Sequence, residues 1–160
     1  MPTSIAEILV ADLKDAMKSG DNERRDVIRM LRSALKYQEI ELRRALEDDD
    51  TIAVIQAQIK QRRDSIEAFD GAGRTDLANR ERAELDILLS FLPDELRPLD
   101  QAELERIVAA KVEELDLHSP GDMRVLMPVL IAATSGRADN RLLSTLAAAE
   151  LRQRASAGAP

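Results

Sequence analysis

At 160 residues, with 44% hydrophobic and 33% charged side chains, the chain is long enough for one domain or two small ones with cores of their own. Two Phe, one Tyr and no Trp leave few positions suited to a β-sheet core, while abundant Ala, Leu, Glu and Arg favour helices, so the expected class is all-α. The absence of cysteine excludes disulfides and thiolate sites, and a formal charge of −7 with a pI near 4.9 argues against non-specific, charge-driven binding to nucleic acid such as DNA.

In chain order, Ser4 and Glu7 make a capping box, and Ile5, Ile8, Leu9, Leu13 and Met17 form a helical stripe that Gly20 stops. Asp21 caps a longer second helix with Val27, Ile28, Leu31, Ala34, Leu35, Leu42 and Leu46 on one face. The acidic run Glu47-Asp48-Asp49-Asp50 breaks that pattern and solvates a turn. Asp50 or Thr51 then starts a third helix through Ile52, Ile55, Ile59, Ile66 and Phe69, which Gly71-Ala72-Gly73 ends. Thr75 opens a fourth, carrying Leu77, Leu85, Leu88 and Leu89 and closing at Phe91-Leu92-Pro93. Asp100 and Glu103 make a second capping box for a helix with Leu104, Ile107, Val108, Val112 and Leu115. Ser119 and Pro120, as N-cap and first residue, start another with Met123, Leu126, Met127, Leu130 and Ile131. The last helix runs from about Asn140 through Leu142, Leu143, Leu146 and Leu151.

Pro93 and Pro98 bracket a stretch that suits no helix interior, which places a junction there. The expected architecture is an N-terminal helical bundle or hairpin over residues 1–93, a small three-helix domain over 99–154, and a flexible tail over 155–160. Met1-Pro2-Thr3-Ser4-Ile5 carries no basic region and no apolar run approaches membrane-spanning length, so the expectation is a cytoplasmic protein with no membrane partner.

Two cationic features stand out. In Ser135-Gly136-Arg137-Ala138-Asp139-Asn140-Arg141, Gly136 permits a positive φ, Asp139 can cap the following helix, and Arg137 and Arg141 put guanidinium groups near its N-terminus. Exposed amides, a positive dipole end and arginine forks suit a phosphate, and the same residues also make an ordinary helix–turn–helix corner. At about 100° per residue, Arg25, Arg29, Arg32, Lys36 and Arg43 fall in one stripe of the second helix, away from its apolar face. Such a ridge can follow a phosphate backbone, receive an acidic partner helix, or simply be solvated. Lys60-Gln61-Arg62-Arg63 adds a shorter basic cluster, and near absence of aromatic interleaving speaks against single-strand binding.

No catalytic constellation is found. His118 is the only histidine and has no nucleophile at informative spacing, so it reads as an exposed loop residue. The acids from Glu47 to Asp50 lack the alternating ligand geometry of a calcium loop, and Gly71-Ala72-Gly73-Arg74 is too short for a nucleotide fingerprint. No cofactor and no metal site are expected.

Several segments together resemble the GatB/YqeY family: Val27-Ile28-Arg29-Met30-Leu31, Lys36-Tyr37-Gln38-Glu39-Ile40-Glu41-Leu42, and Ile59-Lys60-Gln61-Arg62-Arg63-Asp64-Ser65-Ile66-Glu67. Ala72-Gly73-Arg74-Thr75-Asp76-Leu77-Ala78, Phe91-Leu92-Pro93, Asp122-Met123 and Gly136-Arg137-Ala138-Asp139 continue the resemblance, which covers about Ile5 to Leu151. It implies an all-helical, two-part protein similar to the C-terminal helical and tail regions of the B subunit of the glutamine-dependent tRNA amidotransferase. In that family the tail contacts tRNA, while phosphorylation and transamidation belong to an N-terminal portion with no counterpart here. The family's usual Asp-Met-Gly-Lys stands as Asp122-Met123-Arg124-Val125, and its Gly-Arg-Ala-Asp-Gly-Lys as Gly136-Arg137-Ala138-Asp139-Asn140-Arg141, so positive charge survives in altered geometry.

Three functions follow from the residues and the resemblance. An RNA-binding accessory protein would place Arg124, Arg137 and Arg141 on tRNA phosphates, around the turn formed by Gly136 and Asn140, with the ridge from Arg25 to Arg43 as a second contact. A protein-interaction adapter would dock on an amidotransferase or aminoacyl-tRNA synthetase assembly. A carbon–nitrogen ligase using glutamine is what family association suggests, but the chain offers no phosphate-binding loop, nucleophile or metal cluster for it.

Overall fold

The computed structural model describes residues 3–158, of which none lies in a strand; seven α-helices account for most of the chain. They are α1 (Ile5–Ser19), α2 (Asn22–Leu42), α3 (Asp48–Gly71), α4 (Thr75–Leu89), α5 (Gln101–Glu114), α6 (Met123–Thr134) and α7 (Asn140–Ala157), so the all-α expectation holds. The helices belong to two compact units, one extending to Glu95 and one beginning at Leu96.

In the first unit, local chemistry fixes the helix ends. Ser4 Oγ accepts from Glu7 N–H at 3.2 Å and Glu7 Oε2 accepts from Ser4 N–H at 2.9 Å, while Gly20 closes α1 at φ 76°. Asp21 Oδ1 caps α2 by accepting from Arg24 N–H at 3.0 Å. The helix stops at Leu42, where Arg43 turns to φ 54°, so Leu46 is not on α2; it lies in the connecting loop and folds back onto the core. Contrary to the expected solvated turn, Asp48, Asp49 and Asp50 form the first turn of α3. Three carboxylates are stabilised at the positive end of a helix dipole, Asp50 accepts from Glu47 N–H at 2.9 Å, and Arg44 Nη1 reaches Asp50 Oδ2 at 2.6 Å. Asp48 Oδ1 also accepts from Ile5 N–H at 3.2 Å, joining the start of α3 to the start of α1.

The core of this unit gathers Leu9 from α1, Val27, Ile28, Leu31 and Leu35 from α2, Ile55 and Ile59 from α3, and Leu88, Phe91 and Leu92 from α4 and the segment after it. Ile28, Leu31, Ile55 and Leu88 have no exposed surface, and each such side chain contributes about 1.5–3 kcal/mol of burial. A short turn containing Gly73 at φ 70° joins α3 to α4, and Arg62 of α3 reaches into α4, where its Nη1 meets Glu81 at 3.0 Å and Glu84 at 2.6 Å. Arg24 is likewise turned inward, with Nη2 2.5 Å from Asp12 and its guanidinium 5.2 Å from the Phe91 ring centroid.

The second unit packs α5, α6 and α7 around Leu104, Val108, Val112, Leu126, Leu130, Leu143, Ala147 and Leu151. The capping box of Asp100 and Glu103 starts α5. Ser119 and Pro120 begin a separate 3-10 turn, Pro120–Asp122, and α6 follows it at Met123. Pro128 lies inside α6; having no N–H, it leaves the Arg124 carbonyl without its usual helical donor. The last helix continues to Ala157, so residues 155–157 are helical rather than a flexible tail, and the rest of that expectation beyond Gly158 lies outside the described residues.

Candidate nucleic-acid interface

The turn between α6 and α7 is built from two consecutive left-handed residues, Ser135 at φ 48° and Gly136 at φ 76°. Sequence reasoning anticipated only the glycine. Thr134, buried to 2% exposure, returns its Oγ1 proton to the Leu130 carbonyl at 2.9 Å, and Arg137 N–H donates to the Thr134 carbonyl at 2.8 Å, so the chain reverses tightly. Asp139 Oδ1 then accepts from Arg141 N–H at 2.8 Å and Leu142 N–H at 3.0 Å. The chain's own carboxylate therefore occupies amides that an incoming anion would use, and its charge opposes one. What the turn still offers an anion is side-chain cation.

The arginines of this region divide into different roles. Arg137 Nε donates to the Arg97 carbonyl at 2.7 Å, and Leu99 N–H donates to the Arg137 carbonyl at 2.9 Å, which fastens the segment before α5 to the turn. Arg141, on the first turn of α7, is exposed and has no carboxylate partner among the described residues; Asn140 beside it is exposed as well. Arg124 opens α6, exposed and equally unpaired, and α6 rises about 15 Å from there to Thr134, the residue before the turn. Arg124 and the turn are thus separate points on the unit rather than one pocket.

On the first unit, the α2 stripe also separates into parts. Arg25 donates to Asn22 at 2.8 Å and to Asp26 at 2.8 Å; the hydrogen bond from Arg25 holds the Asp26 carboxyl below its ordinary range, with the charges of Arg25, Arg29 and Arg80 acting in the same direction. Lys36 pairs with Glu39 at 2.8 Å. Arg43 lies beyond the end of α2 in its left-handed cap. Arg29, Arg32 and Lys36 come together on one wall of a cleft of about 730 Å³, whose other sides are Ser4, Ala6, Leu9 and Val10 of the α1 region and the segment around Leu46 and Asp48. Arg29 and Arg32 form no salt bridge among the described residues, although Arg29 is near enough to Asp26 to act on its charge.

The other sequence features are structural. His118 is exposed and its Nε2 lies 2.9 Å from Asp116. Of the basic cluster after Ile59, Lys60 pairs with Asp64 at 3.1 Å and Arg62 is half-buried between Glu81 and Glu84, so only Arg63 points to solvent without a partner among the described residues. Arg74 pairs with Asp76 at 3.2 Å beside the Gly73 turn. Among the described residues no three His, Asp or Glu side chains converge as a metal site, and no helix is long and apolar enough to cross a membrane.

A model of the Yqey-like protein family matches residues 6–151. The protein named "Altered inheritance of mitochondria protein 41, mitochondrial" from Lachancea thermotolerans is 34% identical over 113 residues, covering 70% of this chain and 60% of that protein. Its namesake from Pyrenophora tritici-repentis is 32% identical over 108 residues, 68% of this chain and 59% of its own length. The Saccharomyces cerevisiae protein of the same name is 31% identical over 114 residues, 71% and 61% respectively. The chain thus spans about three fifths of the length of the curated relatives it matches. Their names also overturn the expectation of a cytoplasmic protein, since each is designated mitochondrial. A helical, cysteine-free, acidic composition suits either compartment, which is why it gave no warning. With α1 to α7 almost wholly inside the matched stretch, the chain belongs to the Yqey-like protein family.

Proposed function

We propose that this protein is an RNA-contacting accessory factor, with tRNA as its partner, whose contact points are the exposed arginines of α6 and α7. The observation that carries this reading is an imbalance of pairing. From Met123 onward the sequence has five arginines (Arg124, Arg137, Arg141, Arg152 and Arg154) against two acids, Asp139 and Glu150. Both acids are engaged, Asp139 by the amides at the start of α7 and Glu150 by Arg154 at 3.5 Å. Arg124, Arg141 and Arg152 are left exposed and without an acidic partner among the described residues. Guanidinium forks on helix surfaces suit phosphate oxygens, and separated arginines can reach successive phosphates of one folded RNA. The resemblance to the tRNA-contacting tail of an amidotransferase subunit supports the choice of tRNA. Gly136 and Arg137 set the shape of the turn that presents Arg141, and Asn140 lies exposed beside it.

The test is fluorescence anisotropy of labelled tRNA with the full chain between about 50 and 200 mM salt, repeated with Arg124→Ala and Arg141→Ala. Each substitution is expected to weaken binding and to lower the slope of log K against log salt by about one. No binding at the low-salt end, or binding indifferent to both substitutions, overturns the proposal.

A further inference from the structure

The 730 Å³ cleft between α1 and α2 has a neighbour. A second hollow of about 310 Å³, lined by Val10, Leu13, Lys14, Met17, Lys18 and Arg32, shares Val10 and Arg32 with the first. The two hollows adjoin at Val10 and Arg32 and lie along α1 from Ala6 to Lys18, about 18 Å at 1.5 Å per residue, and are taken together as one groove. Its floor is apolar: Leu9, Val10, Leu13, Met17, Leu35 and Leu46 line it, and Val10 and Met17 are 54% and 55% exposed. Its rim is cationic, with Lys14 and Lys18 on one side and Arg29, Arg32 and Lys36 on the other. Among the described residues only Lys36 of these forms a salt bridge, with Glu39, while Arg29 acts on Asp26 without contact; the other acid at the groove, Asp48, is held by the Ile5 amide.

We propose that this groove docks an acidic amphipathic helix of a partner protein. The charge and the floor must be satisfied together, and that selects the occupant. A phosphate backbone would meet the rim but leave the apolar floor against water, and the groove has no aromatic side chain on which an unpaired base could stack. A neutral apolar helix would cover the floor and leave four unpaired cations beside it. A helix of about three to four turns, with leucine-type residues on one face and carboxylates flanking them, fills the length, covers Val10 and Met17, and brings acids to Lys14, Lys18, Arg29 and Arg32. Arg32 lines both hollows and therefore sits at the centre of the contact, where charge pairs count most. This inference is independent of the RNA contact assigned to α6 and α7.

The probe is a capped 14-residue helical peptide with leucine at i, i+3, i+4 spacing and glutamate elsewhere, compared with a version carrying lysine for glutamate and one carrying serine for leucine. Titrated against the full chain by anisotropy, the acidic amphipathic peptide is expected to bind at least about tenfold tighter than either control, and Arg32→Glu to weaken it about tenfold or more. Val10→Asp, on the floor, is expected to do the same. Both sites are exposed, and a thermal melt verifies that each variant is folded; were Val10→Asp to unfold, Arg32→Glu and the peptide controls decide alone. Equal binding of all three peptides, or no binding of the acidic one, overturns the proposal. So does a concentration-dependent dimer that Arg32→Glu dissociates, which would make the occupant a second copy. Loss of tRNA binding in Arg32→Glu with the peptide still indifferent would make it RNA, whereas failure of the α6–α7 arginine substitutions leaves the groove result untouched.

Discussion

Arg62 provides the sharpest test of how the first unit is held together. Its side chain is 16% exposed, and the two carboxylates it serves, Glu81 and Glu84, are 18% and 14% exposed. Both acid oxygens lie within 3.0 Å of the same guanidinium nitrogen, which puts them less than about 6 Å from one another. Replacing Arg62 with Met keeps an unbranched side chain of similar reach beside Met30, whose Sδ is 3.9 Å from Arg62 Nη2, but removes the guanidinium that the two acids share. At about 6 Å and an effective dielectric near 20, two like charges repel by about 3 kcal/mol. Arg80 still approaches Glu84 at 3.5 Å, but that arginine is 75% exposed and screened, and the glutamates can swing outward. The expected loss is therefore about 2–3 kcal/mol, somewhat less than the 3–5 kcal/mol of a fully buried broken pair. In a unit of this size that lowers the melting temperature by roughly 10–20 °C. Urea and thermal unfolding followed by circular dichroism measure it, with the triple variant Arg62→Met, Glu81→Gln, Glu84→Gln as the decisive control. The triple variant should recover most of the loss, because the penalty comes from stranded like charges and not from missing volume. An Arg62→Met protein within about 0.5 kcal/mol of the parent, or a triple variant no better than the single, would refute this reasoning.

Two further outcomes follow from the caps. Asp139→Ala removes the acceptor of two amide protons at the start of α7 and should lower the stability of the second unit by about 1 kcal/mol, whereas Asp139→Asn should keep most of that stability and, under the RNA proposal, tighten tRNA binding; melts and anisotropy separate the two effects. The Asp50 carboxyl is held below its ordinary value, chiefly by the hydrogen bond from Arg44 and then by the Glu47 amide, so its contribution is present above the ordinary carboxylate range and disappears as pH falls through the depressed value; Asp50→Asn should flatten the acid side of the stability profile, and parallel profiles for both proteins down to about pH 2 would contradict the assignment.

What could be read from the sequence was local. The capping boxes at Ser4 and Asp100, the cap at Asp139 and the stop at Gly20 depend on neighbours three or four positions away, and a linear reading contains them. The angular arithmetic on α2 also brought Arg29, Arg32 and Lys36 to one side, because a helix fixes direction whatever it packs against. Partners were not legible. Arg62 and Arg63 are adjacent and chemically identical, yet one is half-buried between two glutamates of α4 and the other is exposed, a difference decided by how α3 meets α4. Arg137 looks from its spacing like a phosphate ligand, whereas its bond to the Arg97 carbonyl spans 40 positions. The acidic run at Glu47 misled for a related reason: four consecutive acids suggest solvation, but a helix dipole and Arg44 make them a favourable first turn.

The distribution of paired charge carries more information than the net charge of −7. On α3, α4 and the turn between them, every basic residue except Arg63 has a carboxylate partner: Lys60 with Asp64, Arg62 with Glu81 and Glu84, Arg74 with Asp76, Arg80 with Glu84, and Arg82 with Asp70. Acids are therefore available there, and all but one of the bases find one. Lys14, Lys18, Arg29 and Arg32 around the groove, and Arg124, Arg141 and Arg152 on α6 and α7, have no such partner among the described residues, although acids outnumber bases 30 to 23 over the chain. At about 0.1 M salt the field of the acidic remainder is felt only within about 10 Å, so net charge neither draws in nor turns away a polyanion from afar. Attraction then acts at contact distance, where the spacing of individual arginines decides. Under the two proposals a partner is selected by matching those positions: the groove asks for an apolar face flanked by acids, and the α6 and α7 arginines ask for spaced phosphates.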